Sequence, residues 1–130
     1  MTSEEYHDKI VYWSTKNLKK ILDGLKLKYK NLDYELEYPL QIGPNDRIIA
    51  YVDIALPNEG IFIEVKSFEK IGKTIRQIKS YEIYIKEKME EKEIKMVLII
   101  PSTLDKRIYE REGMMVYVLN DEEKDEISTL

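Results

Sequence analysis

The sequence predicts a small α/β domain in which a central mixed sheet carries helices on both faces. The chain has 130 residues, of which 43% are hydrophobic and 35% charged, which is enough for one core and too few for two. Some segments alternate apolar and polar residues as strands do, and between them lie segments in which apolar residues recur with the period of a helix. A continuous apolar run from Met96 to Ile100 is typical of a strand that is covered on both faces.

The first half of the chain is expected to form one helix and three strands, over residues 3–28, 33–40, 47–56 and 61–67. Val11 and Leu18 recur with helical spacing behind a cap at Ser3. The turn from Pro57 to Gly60 joins the second and third strands, so these two should form an antiparallel hairpin. One face of this hairpin is apolar and is expected in the core: Val52, Ile54, Ile63 and Val65.

The second half is expected to contain a long helix, a central strand, a short helix and a last strand, over residues 69–91, 95–101, 103–112 and 114–119. Ile71, Ile78 and Ile85 belong to the apolar stripe of the long helix. Acidic side chains dominate residues 121–130, a composition typical of disorder. We therefore expect a single domain over residues 1–120, followed by an acidic, disordered tail at 121–130.

The composition excludes several classes of site. The chain has no cysteine, which rules out a disulfide framework, a thiolate zinc site, an iron–sulfur cluster and a cysteine nucleophile. The net charge is −4, and the acidic excess lies in the last ten residues, so residues 1–119 carry equal numbers of acidic and basic side chains. The chain therefore lacks the basic surface of a strong nucleic-acid binder.

The sequence also bears on where the protein acts. Its longest apolar run is far shorter than the roughly 20 residues that span a bilayer, and the polar N-terminus does not resemble a signal peptide. We expect an intracellular, cytoplasmic protein that is not secreted and has no membrane partner.

The predicted hairpin brings two carboxylates together. If Leu56 pairs with Ile61 across the turn, Asp53 stands opposite Glu64 on the neighbouring strand, and Lys66 follows on the same face. Directly opposed side chains have Cβ atoms about 5 Å apart, and like charges at that distance are destabilising unless something neutralises them. Two carboxylates together with carbonyl and water oxygens suit Mg²⁺ or Mn²⁺. The pattern therefore predicts a divalent cation site with an amine beside it.

Asp53 followed by Glu64-Val65-Lys66 resembles the core motif of the PD-(D/E)xK nuclease superfamily. Val52 stands where many members of the superfamily have proline. The predicted αβββαβ order, over roughly residues 3–101, is similar to the restriction-endonuclease-like fold, to which the sequence adds a C-terminal αβ unit. The resemblance implies metal-dependent phosphodiester hydrolysis, with Asp53 and Glu64 as metal ligands and Lys66 as the catalytic lysine.

A second match lies in the helix that follows. Gln77 and Tyr81 resemble the Gln-x-x-x-Tyr signature of the RecB-like branch of the superfamily. Their spacing places them one helical turn apart, where they can contact DNA or hold Lys66. Lys70 and Lys73 share that flank of the helix and are expected to contact phosphates.

The RecB-like branch often adds a histidine or a glutamate from its first helix to the metal ligands. His7 is the single histidine of the chain and lies on the same side of the predicted helix as Val11 and Leu18. We therefore expect His7 to be the third metal ligand, and Glu4 is the alternative.

The residues and the resemblance together predict a Mg²⁺- or Mn²⁺-dependent nuclease that hydrolyses DNA at Asp53, Glu64 and Lys66. The chain has no room for a separate recognition domain, so specificity should come from DNA structure, from a homodimer or from a partner. Short Holliday-junction resolvases belong to the same superfamily, which makes junction cleavage an alternative, whereas the Gln-x-x-x-Tyr match favours end processing or single-strand cleavage. A catalytically silent binding or assembly module is a further alternative, which the neutral charge of residues 1–119 favours.

Overall fold

Five strands form one mixed sheet at the centre of the protein. The computed structural model describes residues 1–42, 45, 47–67, 71–89, 93–101 and 106–130. The strands lie in the order β1-β2-β3-β4-β5; β1, β2 and β3 pair antiparallel, whereas β3, β4 and β5 pair parallel. Their bounds are β1 Glu35–Ile42, β2 Arg47–Leu56, β3 Ile61–Val65, β4 Lys95–Ile100 and β5 Met115–Val118.

Helices cover both faces of the sheet, which confirms the predicted α/β class. Their bounds are α1 Ser3–Lys16, α2 Leu18–Gly24, α3 Ile71–Lys88, α4 Lys106–Arg111 and α5 Asp121–Ser128. Helices α1, α2 and α5 pack on the side of the sheet that includes Ile63 and Val97, and α3 and α4 pack on the side that includes Phe62 and Leu98. Within the described segments, no helix has the length and apolarity needed to cross a membrane.

The predicted strand pairs are largely confirmed. β2 and β3 form an antiparallel hairpin in which Leu56 pairs with Ile61, as the turn length indicated. β4 lies between β3 and β5 and is buried almost throughout, as its continuous apolar run indicated. Gly60 closes the hairpin with φ +69°, and a Cβ atom there would lie 2.5 Å from the carbonyl oxygen of Glu93. The turn therefore requires glycine both for its conformation and for its space.

The prediction of one helix over residues 3–28 is wrong, because the chain breaks at Asn17 into α1 and α2. Asn17 has φ −128°, and its side-chain amide donates 2.8 Å to the carbonyl oxygen of Trp13. A side chain that occupies this carbonyl competes with the helical backbone bond and favours a break. The cap is also displaced by one residue, since the Thr2 hydroxyl, rather than Ser3, accepts a backbone N–H of the first turn at 3.1 Å.

The prediction of a disordered tail at 121–130 is also wrong. Residues 121–128 form α5, which begins with a capping box: the side chain of Asn120 accepts the Glu123 N–H at 2.8 Å, and the Glu123 side chain accepts the Asn120 N–H at 2.9 Å. Ile127 is fully buried in the core. A satisfied N-terminus and one well-packed apolar residue are sufficient to order this acidic segment.

Polar side chains attach α5 to α1, α2 and β5. The indole N–H of Trp13 donates to a Glu126 carboxylate oxygen at 2.9 Å. The buried Glu123 carboxylate accepts the Tyr117 hydroxyl at 2.6 Å and lies 3.1 Å from the Lys20 ammonium. The one buried carboxylate of α5, that of Glu123, therefore has hydrogen-bond donors that offset its desolvation.

The hairpin is irregular around Asp53, against the expectation that Val52 and Ile54 share a face. Val52 packs in the cluster under α3, and Ile54 packs in the cluster under α1. Leu36 pairs with Ile54 and Tyr38 pairs with Val52, but Glu37 between them is not part of a regular pair, although it lies beside Asp53 of the neighbouring strand. Glu37 has φ +49°. A non-glycine residue in the left-handed region is strained, so the strand pair bends locally at this point.

Replacing Ile127 by alanine tests whether α5 belongs to the folded domain. Ile127 is fully buried, so Ile127→Ala should lower the free energy of unfolding by about 2–5 kcal/mol. The matched control is Ile83→Ala on α3, whose side chain is 59% exposed and whose loss should cost less than about 0.5 kcal/mol. Urea denaturation followed by circular dichroism measures both. Equal effects in the two variants would mean that α5 is not packed.

Candidate active site

A cavity of about 570 Å³ opens beside the end of the β2–β3 hairpin. β2 and β3 bring side chains to it, α1 forms one wall and α3 forms the opposite wall. Most of the residues predicted for the site line this cavity: His7, Asp53, Glu64, Lys66, Lys73, Gln77 and Tyr81. The structure therefore brings together predicted residues from four separate elements, α1, β2, β3 and α3, and from the segment after β3.

The two strands separate at the predicted pair of carboxylates. The backbone pairing ends at Ile54 with Ile63, so Asp53 and Glu64 are not a ladder pair as the register predicted. Instead, Glu64 Oε1 accepts the backbone N–H of Asp53 at 2.9 Å, and Asp53 Oδ2 accepts the backbone N–H of Val65 at 2.8 Å. Each carboxylate thus takes the place of a strand carbonyl, which holds both side chains inside the gap between the strands.

This arrangement leaves one oxygen of each carboxylate available. Among the described residues, no hydrogen bond reaches Asp53 Oδ1 or Glu64 Oε2. Two fixed carboxylates from adjacent strands with free oxygens fit the oxygen ligands that Mg²⁺ and Mn²⁺ prefer, with water completing the coordination. In the described part of the chain no three His, Asp or Glu side chains form a complete ligand set.

Glu64 is the carboxyl that lacks a compensating charge. Its side chain is 4% exposed, and burial, followed by the charge of Asp53, raises its pKa to about 8. The Asp53 N–H, Lys66 and His7 oppose this shift but do not cancel it. With this pKa Glu64 holds a proton at neutral pH in the metal-free protein, and a cation bound by both carboxylates would displace that proton and supply positive charge in its place.

His7 makes direct contact with this pair. Its Nε2 donates to Asp53 Oδ2 at 3.2 Å, and its Nδ1 lies 3.3 Å from a carboxylate oxygen of Asp8. The hydrogen bond to Asp53 raises the pKa of His7 to about 9, although burial works against it. His7 therefore acts as a counter-ion of Asp53 in the metal-free protein. Glu4, the alternative ligand, also lines the cavity.

The catalytic lysine predicted from the motif is held by the second motif. Lys66 Nζ donates to Gln77 Oε1 at 2.6 Å, and Gln77 Nε2 donates to the Tyr81 hydroxyl oxygen at 2.8 Å. Burial raises the pKa of Tyr81, so the phenol stays protonated at neutral pH. Of the two roles that the sequence left open for Gln77 and Tyr81, holding Lys66 is therefore the one with a visible contact.

Lys70 and Lys73 were both expected to contact phosphates. Lys73 lines the cavity from the first turn of α3, where an ammonium can reach a phosphate. Lys70 lies outside the described residues.

Several polar residues of the cavity were not predicted from the sequence. Thr74 is almost fully buried and precedes Gln77 by one helical turn, a spacing that would have identified it. The hydroxyls of Ser3 and Ser67 are 3.0 Å apart and join the start of α1 to the chain after β3. This last contact links residues far apart in sequence, and no local pattern signals it.

Comparison with protein-family models, with curated proteins and with solved structures gave no significant match to this chain.

The pKa shifts predict how metal-free stability depends on pH. A group whose pKa is higher in the folded than in the unfolded state stabilises the fold below its unfolded pKa, and this contribution is lost as the pH rises through the folded pKa. For Glu64 the loss falls between about pH 4.5 and 8, and for His7 between about 6.5 and 9. The melting temperature in EDTA should therefore fall as the pH rises through this range.

Glu64→Gln separates the two contributions. The neutral amide keeps an oxygen for the Asp53 N–H, so the variant should lose the part of the pH dependence below about pH 8. Glu122→Gln, at an exposed carboxylate of α5, should leave the wild-type profile unchanged. Parallel melting profiles for wild type and Glu64→Gln would contradict the burial of an uncompensated carboxylate at this site.

Proposed function

We propose that the protein is a Mg²⁺- or Mn²⁺-dependent nuclease that hydrolyses phosphodiester bonds of DNA, with the active site of the PD-(D/E)xK superfamily. One observation carries the proposal: Asp53 and Glu64 lie in the gap between two separating strands, each with one oxygen that accepts no hydrogen bond from the described residues, and Lys66 lines the same cavity. A strand surface that only faced solvent would not bury Glu64 or attach Lys66 to α3.

Asp53 and Glu64 would hold the cation. When bound, a divalent cation lowers the pKa of a coordinated water and neutralises negative charge on the phosphate. The backbone hydrogen bonds of the two carboxylates fix their positions before the cation arrives, so little side-chain entropy is lost on binding. His7 Nε2 lies beside Asp53, where it either orients this carboxylate or, once deprotonated, adds a ligand.

Lys66 would act on the reacting phosphate. Its ammonium stabilises the charge that develops on the phosphoryl oxygens, and Gln77 holds it by a 2.6 Å hydrogen bond. Gln77 is held in turn by Tyr81, so α3 orients the amine although the lysine itself belongs to the segment after β3. Gln77 and Tyr81 are positioning residues in this scheme, whereas Lys66 is catalytic.

Replacing Lys66 by methionine tests catalysis. Lys66→Met keeps the length of the side chain and removes the charge, so cleavage should fall by about 10²–10³-fold, the usual cost of losing one transition-state donor. The assay titrates Mn²⁺ against labelled single-stranded, linear duplex and four-way-junction DNA. Lys86→Met, at an exposed lysine of α3, should cleave like the wild type.

The outcome of this assay also separates the alternatives. Cleavage that persists in Lys66→Met would mean that another site or a contaminant is responsible. Preference for the four-way junction would favour the resolvase, and a dimer in solution would accompany it. Binding of DNA without cleavage at any Mn²⁺ or Mg²⁺ concentration would favour the silent module, for which the equal numbers of acidic and basic side chains in residues 1–119 are the supporting observation.

Metal binding should be visible without DNA. A cation that binds only the folded state stabilises it by mass action, by about 2.7 kcal/mol when its concentration is 100 times Kd. We expect the melting temperature to rise with Mn²⁺ in the wild type and in Glu122→Gln, and to be independent of Mn²⁺ in Glu64→Gln. Isothermal titration calorimetry measures the same interaction directly. If millimolar Mn²⁺ does not change the melting temperature of the wild type, the proposed cation site is contradicted.

A further inference from the structure

An aromatic groove adjoins the candidate active site. It has a volume of about 550 Å³ and lies between α1 and the segment that enters β1. We define the aromatic groove by Tyr12, Lys16, Tyr34 and Leu36, and it is continuous with the active-site cavity because His7 and Asp53 line both. The groove therefore begins where the proposed cation site ends.

The side chains of the groove are unusually exposed for their type. Tyr12 is 56% exposed, Tyr34 40% and Leu36 52%. The Lys16 ammonium lies over the Tyr12 ring, 5.5 Å from its centre, which places a positive charge against one face of this ring. Two accessible rings, an aliphatic floor and a cation are the components of a site that stacks bases and contacts the backbone of a single strand.

We propose that the aromatic groove binds unpaired bases of a single-stranded DNA segment and so delivers its backbone to Asp53 and Glu64. This inference rests on the proposed function, because it takes DNA as the substrate. It specifies which form of DNA the site accepts and which residues select it. Tyr51, 54% exposed on the opposite flank of Asp53, continues the aromatic surface across the active-site cavity.

The charge of the protein favours single strands over duplex. A duplex presents phosphates and keeps its bases stacked inside, so binding it without base readout depends on many cations. Residues 1–119 have no basic excess, and Asp8 and Glu37 lie in the groove itself. Stacking does not depend on net charge and contributes about 1–3 kcal/mol per base. An accessible aromatic surface on a nearly neutral domain is therefore better suited to unpaired bases.

A second copy of this chain is a less suitable occupant. Stable protein interfaces use about 20–30 residues on each side. The exposed apolar part of the groove consists of three side chains, with acidic groups among them. Its area fits a few bases and is small for a protein partner.

Binding in EDTA tests the groove without cleavage. The probe is a short fluorescein-labelled oligothymidylate, compared with the same strand in a duplex, and anisotropy gives Kd. Tyr12→Leu and Tyr34→Leu keep an apolar side chain but remove the ring, so each should weaken single-strand binding by about 5- to 150-fold. Tyr84→Leu on α3, which lines neither the cavity nor the groove, should leave Kd unchanged. Tyr12→Phe should retain the affinity of the wild type.

The salt dependence is a second readout. Each phosphate contact contributes about 0.7 to the slope of log Kd against log salt for a single strand. We expect a slope near that of one or two contacts, because Lys16 is the one lysine or arginine among the described residues that line the groove. The inference would be overturned by a steep salt slope together with a Kd that is the same in the wild type, Tyr12→Leu and Tyr34→Leu. Equal affinity for duplex and single-stranded DNA would also overturn it. If the wild type is a dimer and Tyr12→Leu is a monomer, the groove is a protein interface and the inference is wrong.

The two proposals fail separately. If DNA is cleaved and neither cleavage nor binding depends on Tyr12 and Tyr34, the proposed nuclease activity stands and the proposed role of the groove is wrong. If single-stranded DNA binding depends on these tyrosines but no metal supports cleavage, the proposed role of the groove stands and the proposed nuclease activity is wrong.

Discussion

Two carboxylates take over the hydrogen bonds that β2 and β3 would otherwise form with each other. Glu64 accepts the backbone N–H of Asp53, and Asp53 accepts the backbone N–H of Val65, at the point where the strands separate. β3 meanwhile remains paired with β4 as far as Val65 and Ile99. The cavity of the candidate site lies at this separation, and residues of α1 and α3 line it together with Asp53 and Glu64.

The arrangement is costly for the folded protein, and the costs are concentrated around Asp53. Glu64 is buried with its pKa raised by desolvation and by its acidic neighbour. Glu37, beside Asp53 in β1, is held at φ +49°, which costs about 1–2 kcal/mol for a residue with a side chain. Strain and a buried acidic pair that persist in an otherwise well-packed sheet are characteristic of functional sites. The rest of the core, which is apolar on both faces of β4, supplies the stability that tolerates them.

Sequence reasoning identified the hairpin and the long helix, because these depend on local patterns, and it identified most side chains of the cavity through local spacing together with the resemblance to the superfamily motifs. The turn from Pro57 to Gly60 sets the pairing of Leu56 with Ile61, and this register places Asp53 close to Glu64. The same reasoning could not anticipate that the carboxylates would bond to the opposite backbone, since this depends on competition between side chain and strand. It also treated 121–130 as disordered from its charge, although the Asn120 and Glu123 capping box was present in the sequence. The contact between His7 and Asp53 joins elements distant in sequence and required the fold.

The position of Trp13 gives the protein a built-in optical reporter. It is the single tryptophan of the chain, and its indole N–H donates to Glu126 on α5 while the ring packs in the core under α1. Indole emission shifts to longer wavelength when water reaches the ring, so departure of α5 would alter fluorescence even if the sheet stayed intact. Far-ultraviolet circular dichroism follows the whole fold instead. A difference between the two signals during denaturation would reveal a partly open form in which the helix that carries His7 has lost its outer cover.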